Sequence, residues 1–259
     1  MIIKLSEMDY EKALRLIQKD NARNYFIRLG LESEKRVFKN IYGQIDGEGN
    51  MRAALFHRES GNLQFYSDGA FEVEGFTEII RELDFGKLIG PASYCDKFLD
   101  KALFSSVEEG AYIAELRDFK KQYDFRYYHD VKSLSIHDLD KVIDLYDKVF
   151  ESHSSLDNMK KKFEDNRGRG VCIKEDGKII AVAQSDFEEA RSALIVGVAT
   201  DPDHQKNGFA SQCLETLCKE LLSEGRKLYL QYDNHSAGRI YGRFGFKPID
   251  QVKHYLNLK

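Results

Sequence analysis

The stretch HQKNGFAS, residues 204–211, has the residue types needed to hold an anion. It follows a continuous apolar run, LIVGVA (194–199), of the kind expected for a strand buried on both faces. The spacing after it predicts a helix from about residue 208 to 223. Leu214, Leu217, Cys218, Leu221 and Leu222 would face its core, and Gly225 would stop it. The first-turn amides of such a helix are unpaired and lie at the positive end of its dipole. Gly208 and Ala210 keep bulk away from those amides, and Lys206 adds a full positive charge. A strand-to-helix turn of this kind accepts a phosphate or diphosphate. Its glycine spacing fits neither the Gly-Lys-Ser/Thr nucleotide loop nor the dinucleotide fingerprint.

A second stretch, DNHSAGRIYGRFGF (233–246), follows the short strand pattern KLYLQYD. Asn234 and Tyr241 are two helical turns apart, so both project from one helix face. Asn234 is equally suited to cap that helix, and Tyr241 to pack against it.

These motifs sit in a chain of 259 residues, 42% hydrophobic, long enough for two ordinary domains. A net charge of −4 gives no footprint for nucleic acid or an anionic membrane. The basic run Lys160-Lys161-Lys162 reads as the wet face of a helix. Cys95, Cys172, Cys213 and Cys218 form no metal-binding or redox pair. They read as buried small hydrophobes in a reducing compartment. MIIKLSEMDY has no signal-type apolar core, and no run approaches membrane-spanning length, so a soluble cytoplasmic protein is expected.

The chain also repeats itself. KLSEMDYEKALRLI (4–17) aligns with SLSIHDLDKVIDLY (133–146) at one constant offset, about half the chain length. Leu5 matches Leu134, Ser6 matches Ser135, Asp9 matches Asp138 and Lys12 matches Lys141. Each copy opens a helix with Ser followed three residues later by Asp. Three strands follow in each half: IYGQIDGEG, MRAALFHRES and NLQFYSDG in the first, VCIKEDG, KIIAVAQSDF and SALIVGVATD in the second. A helix, a short strand (KLIGP or KLYLQYD) and another helix then close each half. Duplication is the economical explanation. The expected fold class is mixed α/β, with two tandem domains at 1–129 and 130–259. Each would be a mostly antiparallel sheet with flanking helices and a βαβ end. Tyr127 and Tyr128 are assigned to a strand crossing between the halves.

Gln205-x-x-Gly208-x-Ala210 after a buried strand resembles the coenzyme A signature of the GNAT superfamily of N-acetyltransferases. Asn234, Ala237, Tyr241, Gly245 and Phe246 resemble the end of that fold in identity and spacing. The resemblance covers residues 131–255. It implies that Val198, Ala199 and Thr200 bond the pantetheine arm of acetyl-CoA, the co-substrate. It assigns the diphosphate to Gln205, Lys206, Asn207, Gly208, Phe209, Ala210 and Ser211. Asn234 would contact the cofactor, and Tyr241 would protonate the departing thiolate as general acid. A backbone N–H near Val198 would stabilise charge on the carbonyl oxygen. No metal and no catalytic cysteine are expected.

The proton sink is the open position. Lysine-acetylating relatives carry a glutamate eleven positions before the Gln of the loop, where this chain has Leu194. Glu151 and His153 after the first helix, and Asp186 and Glu188 near a strand end, are the alternatives. The first half has Glu72, Glu74 and Glu78 where phosphate would sit, and like charge repels a diphosphate. It resembles the degenerate, cofactor-free copy of tandem members such as mycothiol synthase, and is expected to shape the acceptor cleft or stiffen the pair. The resulting expectation is N-acetyl transfer from acetyl-CoA to a small primary amine or an N-terminal amine. The alternatives are a non-catalytic acyl-CoA sensor and an acyltransferase for longer chains. The partner would be a small-molecule amine, with no nucleic acid or membrane, in a monomer or homodimer.

Overall fold

The computed structural model of the protein describes residues 1–6, 9–33, 36–119 and 129–259. Tyr127 and Tyr128 lie outside the described residues. The two matching helix starts have one geometry. Ser6 donates its amide and Oγ to Asp9 Oδ2 at 3.2 and 2.8 Å. Ser135 does the same to Asp138 Oδ2, also at 3.2 and 2.8 Å. Such a Ser/Asp pair satisfies donors that a helix start leaves unpaired, which is why the motif recurs where each half begins.

The first compact unit comprises Met1–Ile113 and Pro248–Lys259. Its elements begin with β1 (Ile2–Lys4), α1 (Tyr10–Ile17), α2 (Asn21–Leu31), β2 (Phe38–Ile45), β3 (Met51–Arg58) and β4 (Leu63–Ser67). They continue with α3 (Val73–Glu82), β5 (Lys87–Pro91), α4 (Ala92–Cys95) and most of β6 (Phe104–Leu116). The second unit, Ala114–Lys247, carries β7 (Lys132–Ser133), α5 (Leu139–Val149), α6 (Leu156–Glu164), β8 (Gly170–Glu175) and β9 (Lys178–Glu189). It ends with β10 (Ser192–Thr200), α7 (Phe209–Ser223), β11 (Lys227–Tyr232) and α8 (His235–Phe244). The last strand, β12 (Lys247–Asn257), pairs antiparallel with β5, from Val252 opposite Pro91 to Leu256 opposite Lys87. Those bonds place the carboxy terminus in the first unit, so the compact units are not the contiguous spans 1–129 and 130–259.

The strand order is β1-β2-β3-β4-β5-β12-β6 in the first unit and β11-β10-β9-β8-β7 in the second. Each sheet is mostly antiparallel, with one parallel βαβ step: β4-α3-β5 in the first unit and β10-α7-β11 in the second. In the second unit, Leu139, Val142, Leu145, Tyr146 and Met159 from α5 and α6 cover one face. Cys213, Leu214, Leu217, Cys218 and Leu221 of α7 cover the other. Gly225 follows α7 at φ 80°, its amide on Leu222 O at 2.9 Å, as the sequence predicts. All four cysteines are free and buried. Among the described residues, no helix is long and apolar enough to cross a membrane.

The basic run is different from its sequence reading. Lys161 is exposed, but Lys160 and Lys162 are half-buried, and Lys162 turns toward the sheet to reach Gln184. Met159, one helical turn earlier, is buried on the same side of α6, and that shared face carries Lys162 inward.

Candidate active site

β10 and β11 run parallel and pair only from Ser192 opposite Lys227 to Leu194 opposite Tyr229. Beyond Leu194, β10 pairs with β9 alone, and its register slips between Val196 and Ala199. Gly197 takes φ 59° at that slip. The strand is fully buried from Ala193 to Ile195 and becomes half-buried at Val196, Gly197 and Val198. Backbone groups of the pantetheine-assigned residues therefore lie on a strand that has left its parallel neighbour. Ala199 and Thr200 still pair with Val182 and Ala181 on β9.

The turn that follows is rigidly held. Asp201 accepts from the Asp203 amide at 3.1 Å and from Lys148 Nζ at 2.8 Å. These bonds, Lys148 foremost, hold its carboxyl down at about 2. His204 bridges Asp201 and Glu175 through its two ring nitrogens, at 3.4 and 2.9 Å. The sequence signal for this brace is Asp201-Pro202, a capping residue before proline at a helical first position. Lys206 and Gly208 both adopt positive φ, 66° and 80°. Gln205, Lys206 and Asn207 are exposed. The first amide of α7 with an intrahelical acceptor is Gln212, on Gly208 O at 3.0 Å. Among the described residues, the amides of Phe209, Ala210 and Ser211 have no hydrogen-bond partner. No side chain caps this end of α7.

Asn234 is the cap of α8, its side-chain oxygen accepting from Ser236 and Ala237 amides at 2.8 and 3.4 Å. Only its Nδ2 remains for a ligand. Tyr241 is half-buried, with its ring 5.6 Å from Tyr232 and 5.9 Å from Phe246. Burial pushes its hydroxyl up to about 12, so it stays protonated at neutral pH.

The base candidates do not converge. Glu151 is exposed and has no hydrogen bond among the described residues. His153 faces the Ser154 carbonyl at 3.0 Å and Asp147 at 2.8 Å, two acceptors that favour the imidazolium and raise its pKa. Glu188 accepts from Arg169, Arg226 and Ser185 Oγ. That arrangement fastens the β9–β10 hairpin and occupies the carboxylate. Asp186 lies opposite Leu194 and accepts the Phe187 amide at 2.7 Å.

Sequence reasoning missed the residues beneath the slip in β10. Tyr146 of α5 donates to the Gly197 carbonyl at 2.7 Å, and Gln184 of β9 donates to Tyr146 Oη at 2.8 Å. Gly197 itself was the available signal. An isolated glycine in an apolar strand marks a bulge or a close approach.

A parted parallel strand leading into bare helix-start amides is a site for a long ligand with a phosphate-bearing tail. Comparison with known proteins assigns the class. The sequence profile of GNAT acetyltransferases matches residues 64–255, and the chain belongs to that family. Membership implies acetyl transfer dependent on acyl-CoA. No curated protein sequence matches the chain. Among solved structures, a GNAT-family acetyltransferase from Colwellia psychrerythraea is similar at TM-score 0.73 and 12% identity, covering 99% of each chain. A GCN5-related N-acetyltransferase from Sphaerobacter thermophilus gives 0.64 and 13%, covering 100% of this chain and 96% of its own. A tandem GNAT protein from the clavulanic acid biosynthesis pathway gives 0.63 and 13%, covering 99% and 98%. At these identities the likeness shows the fold.

Proposed function

We propose that the protein transfers acetyl from acetyl-CoA directly to a primary amine, either of a small molecule or at an N-terminus, using the second unit alone. The supporting observation is the sequence of features along one segment: β10 leaves β11 after Leu194, and unpartnered amides follow at Phe209–Ser211. Lys206, Asn207 and Gly208 flank those amides, and α7 supplies the positive end of its dipole. Bound there, acetyl-CoA supplies an already activated thioester. Val198, Ala199 and Thr200 orient the arm through their backbone. Asn234 contributes its free Nδ2 from the start of α8.

The remaining work is proton and charge management. Val198 N–H is the donor for the oxygen on which negative charge develops. Tyr241 holds its proton at neutral pH and delivers it to sulfur. His153 and Glu188 have their lone pairs engaged, which leaves exposed Glu151 or water to take the amine proton. In the first unit, Glu72, Glu74 and Glu78 are exposed at the corresponding helix start. That charge supports reading it as the cofactor-free partner in a mycothiol-synthase-like tandem arrangement. We place the protein in the cytoplasm, as a monomer or homodimer, with a small-molecule partner.

The test is acetyl-CoA-dependent thiol release against panels of amines, amino acids, polyamines, aminoglycosides and peptides. Release with at least one amine is expected. Tight coenzyme A binding with no release from any panel would leave an acyl-CoA sensor. Faster release from longer acyl-CoAs would make it an acyltransferase of different chain length.

A further inference from the structure

Lys162 ends inside the second unit although its run reads as surface. Its Nζ donates to Gln184 Oε1 at 2.8 Å. Gln184 Nε2 donates to Tyr146 Oη at 2.8 Å, and Tyr146 Oη donates to the Gly197 carbonyl at 2.7 Å. Both ends fix the direction of this chain. An ammonium can only donate and a backbone carbonyl can only accept, so the amide and hydroxyl between them have one consistent arrangement. Gln184 is 1% exposed and Tyr146 3%, which keeps water from competing.

The chain ends where β10 slips. A Cβ on Gly197 would lie 1.9 Å from Tyr146 Oη, so only glycine allows the carbonyl to come this close. In a trans peptide the N–H points opposite to the C=O. With the Gly197 carbonyl held by Tyr146, the Val198 N–H is directed away from α5. It lies in the part of β10 that has left β11.

We infer that Lys162, Gln184 and Tyr146 form a positioning chain that fixes and polarises the Gly197–Val198 peptide, so that Val198 N–H donates to the carbonyl oxygen during acetyl transfer. The inference rests on the acetyl-transfer reading above and adds three residues to it. Hydrogen bonds with an ionised donor are roughly twice as strong as neutral ones, and aligned donors polarise one another. The ammonium at the far end therefore strengthens each bond down to the peptide.

The same arrangement sets a pH dependence. Lys162 is faced by Gln184, Asp186 and Glu188 of β9, with Glu188 held by Arg169 and Arg226. On its own helix it lies 5.5 Å from the Phe163 ring centroid. Burial lowers the lysine to about 8, against the opposing pull of Asp186 and Glu188. A lysine with a lowered pKa carries its charge below that value and loses it above. The chain is thus charged at pH 7 and neutral at pH 9. Turnover should rise as the acceptor amine loses its proton, then fall near pH 8 as Lys162 loses its own. Tyr241, pushed up to about 12, does not cause that fall. Were Lys162 the base instead, its neutral form would be the active one, and deprotonation would raise activity.

Two measurements test this. First, the Val198 amide resonance is followed by NMR from pH 6 to 10 in the wild-type protein and in Lys162→Met. It should shift with a midpoint near 8 in the first and stay flat in the second. Second, kinetics compare Lys162→Met, Lys162→Arg and Tyr146→Phe. At pH 7 Lys162→Met should lose about tenfold in kcat and Tyr146→Phe about a hundredfold, with KM for acetyl-CoA unchanged. Lys162→Arg should restore kcat and remove the alkaline fall, because arginine keeps its charge to higher pH. A Val198 resonance that ignores the lysine titration overturns the chain, whether or not turnover is measurable. An unchanged alkaline limb in Lys162→Met overturns it too. A titrating Val198 in a wild-type protein that acetylates no amine sinks the functional reading instead.

Discussion

Both units contain a parallel strand pair that parts after a few residues, yet only in the second does the parted strand become half-buried rather than sealed. β4 and β5 pair at Leu63–Leu88 and Gln64–Ile89, much as β10 and β11 pair at their starts. In the first unit the strand then stays sealed: Phe65, Tyr66 and Ser67 are 0, 3 and 0% exposed. The Phe65 ring is surrounded by Phe71, Phe76 and Phe98 at 4.7, 5.0 and 5.2 Å. Tyr94, just past β5, lies 5.4 Å from Tyr66. The helix starts differ as well. A Cβ at Gly75 in α3 would lie 2.7 Å from Ile2 Cδ1 and 3.4 Å from the Glu72 carboxyl carbon. α3 starts after Glu72 with Glu74 in its first turn, whereas α7 starts after Gly208 with no acidic residue there. The same backbone plan can thus leave the parted strand half-buried or seal it in a core, depending on whether aromatic rings cover it.

The largest expected effect comes from adding a carboxylate where the second unit has none. Gly208→Asp should cost coenzyme A at least a hundredfold in affinity, by calorimetry, while the circular dichroism spectrum is unchanged. Normal affinity would erase the distinction between the helix starts. Next in size, Tyr241→Phe should lower kcat about a hundredfold without changing the dissociation constant of coenzyme A. Unaltered kcat would remove the tyrosine from the chemistry.

A packing change should act on the first unit alone. Phe98 is fully buried against Phe65, so Phe98→Ala should cost about 3–5 kcal/mol in chemical denaturation. Coenzyme A affinity of the folded protein should stay as it was, and a parallel loss of both would mean that the sealed strand supports the cofactor. The smallest effect concerns acid stability. Asp201 is held at about 2, below an ordinary carboxyl, so its contribution is present above pH 4 and fades as pH falls toward 2. Asp201→Asn should flatten that acid limb in thermal melts. An identical limb in the variant would show that the brace beneath the turn into α7 is not electrostatic.

The turn from β10 into α7, both Ser–Asp helix starts and the extent of α7 were legible because each depends on neighbours a few residues away. Caps, dipoles and helical periodicity are local, so residue order encodes them directly. Asn234 was readable as either a cap or a contact, and its oxygen is in fact the cap. The engagement of Glu188 was not legible, since the Arg169 and Arg226 that hold it lie well away from it in sequence.

Sequence alone thus determined the α/β class, the repeated unit and the glycine-led start of α7, because short-range backbone chemistry dictates all three. Tertiary structure decided which parted strand stays uncovered, where the last strand pairs, and that Lys162 faces inward. Those outcomes depend on side chains from separate elements competing for one volume, and on hydrogen bonds between residues far apart along the chain.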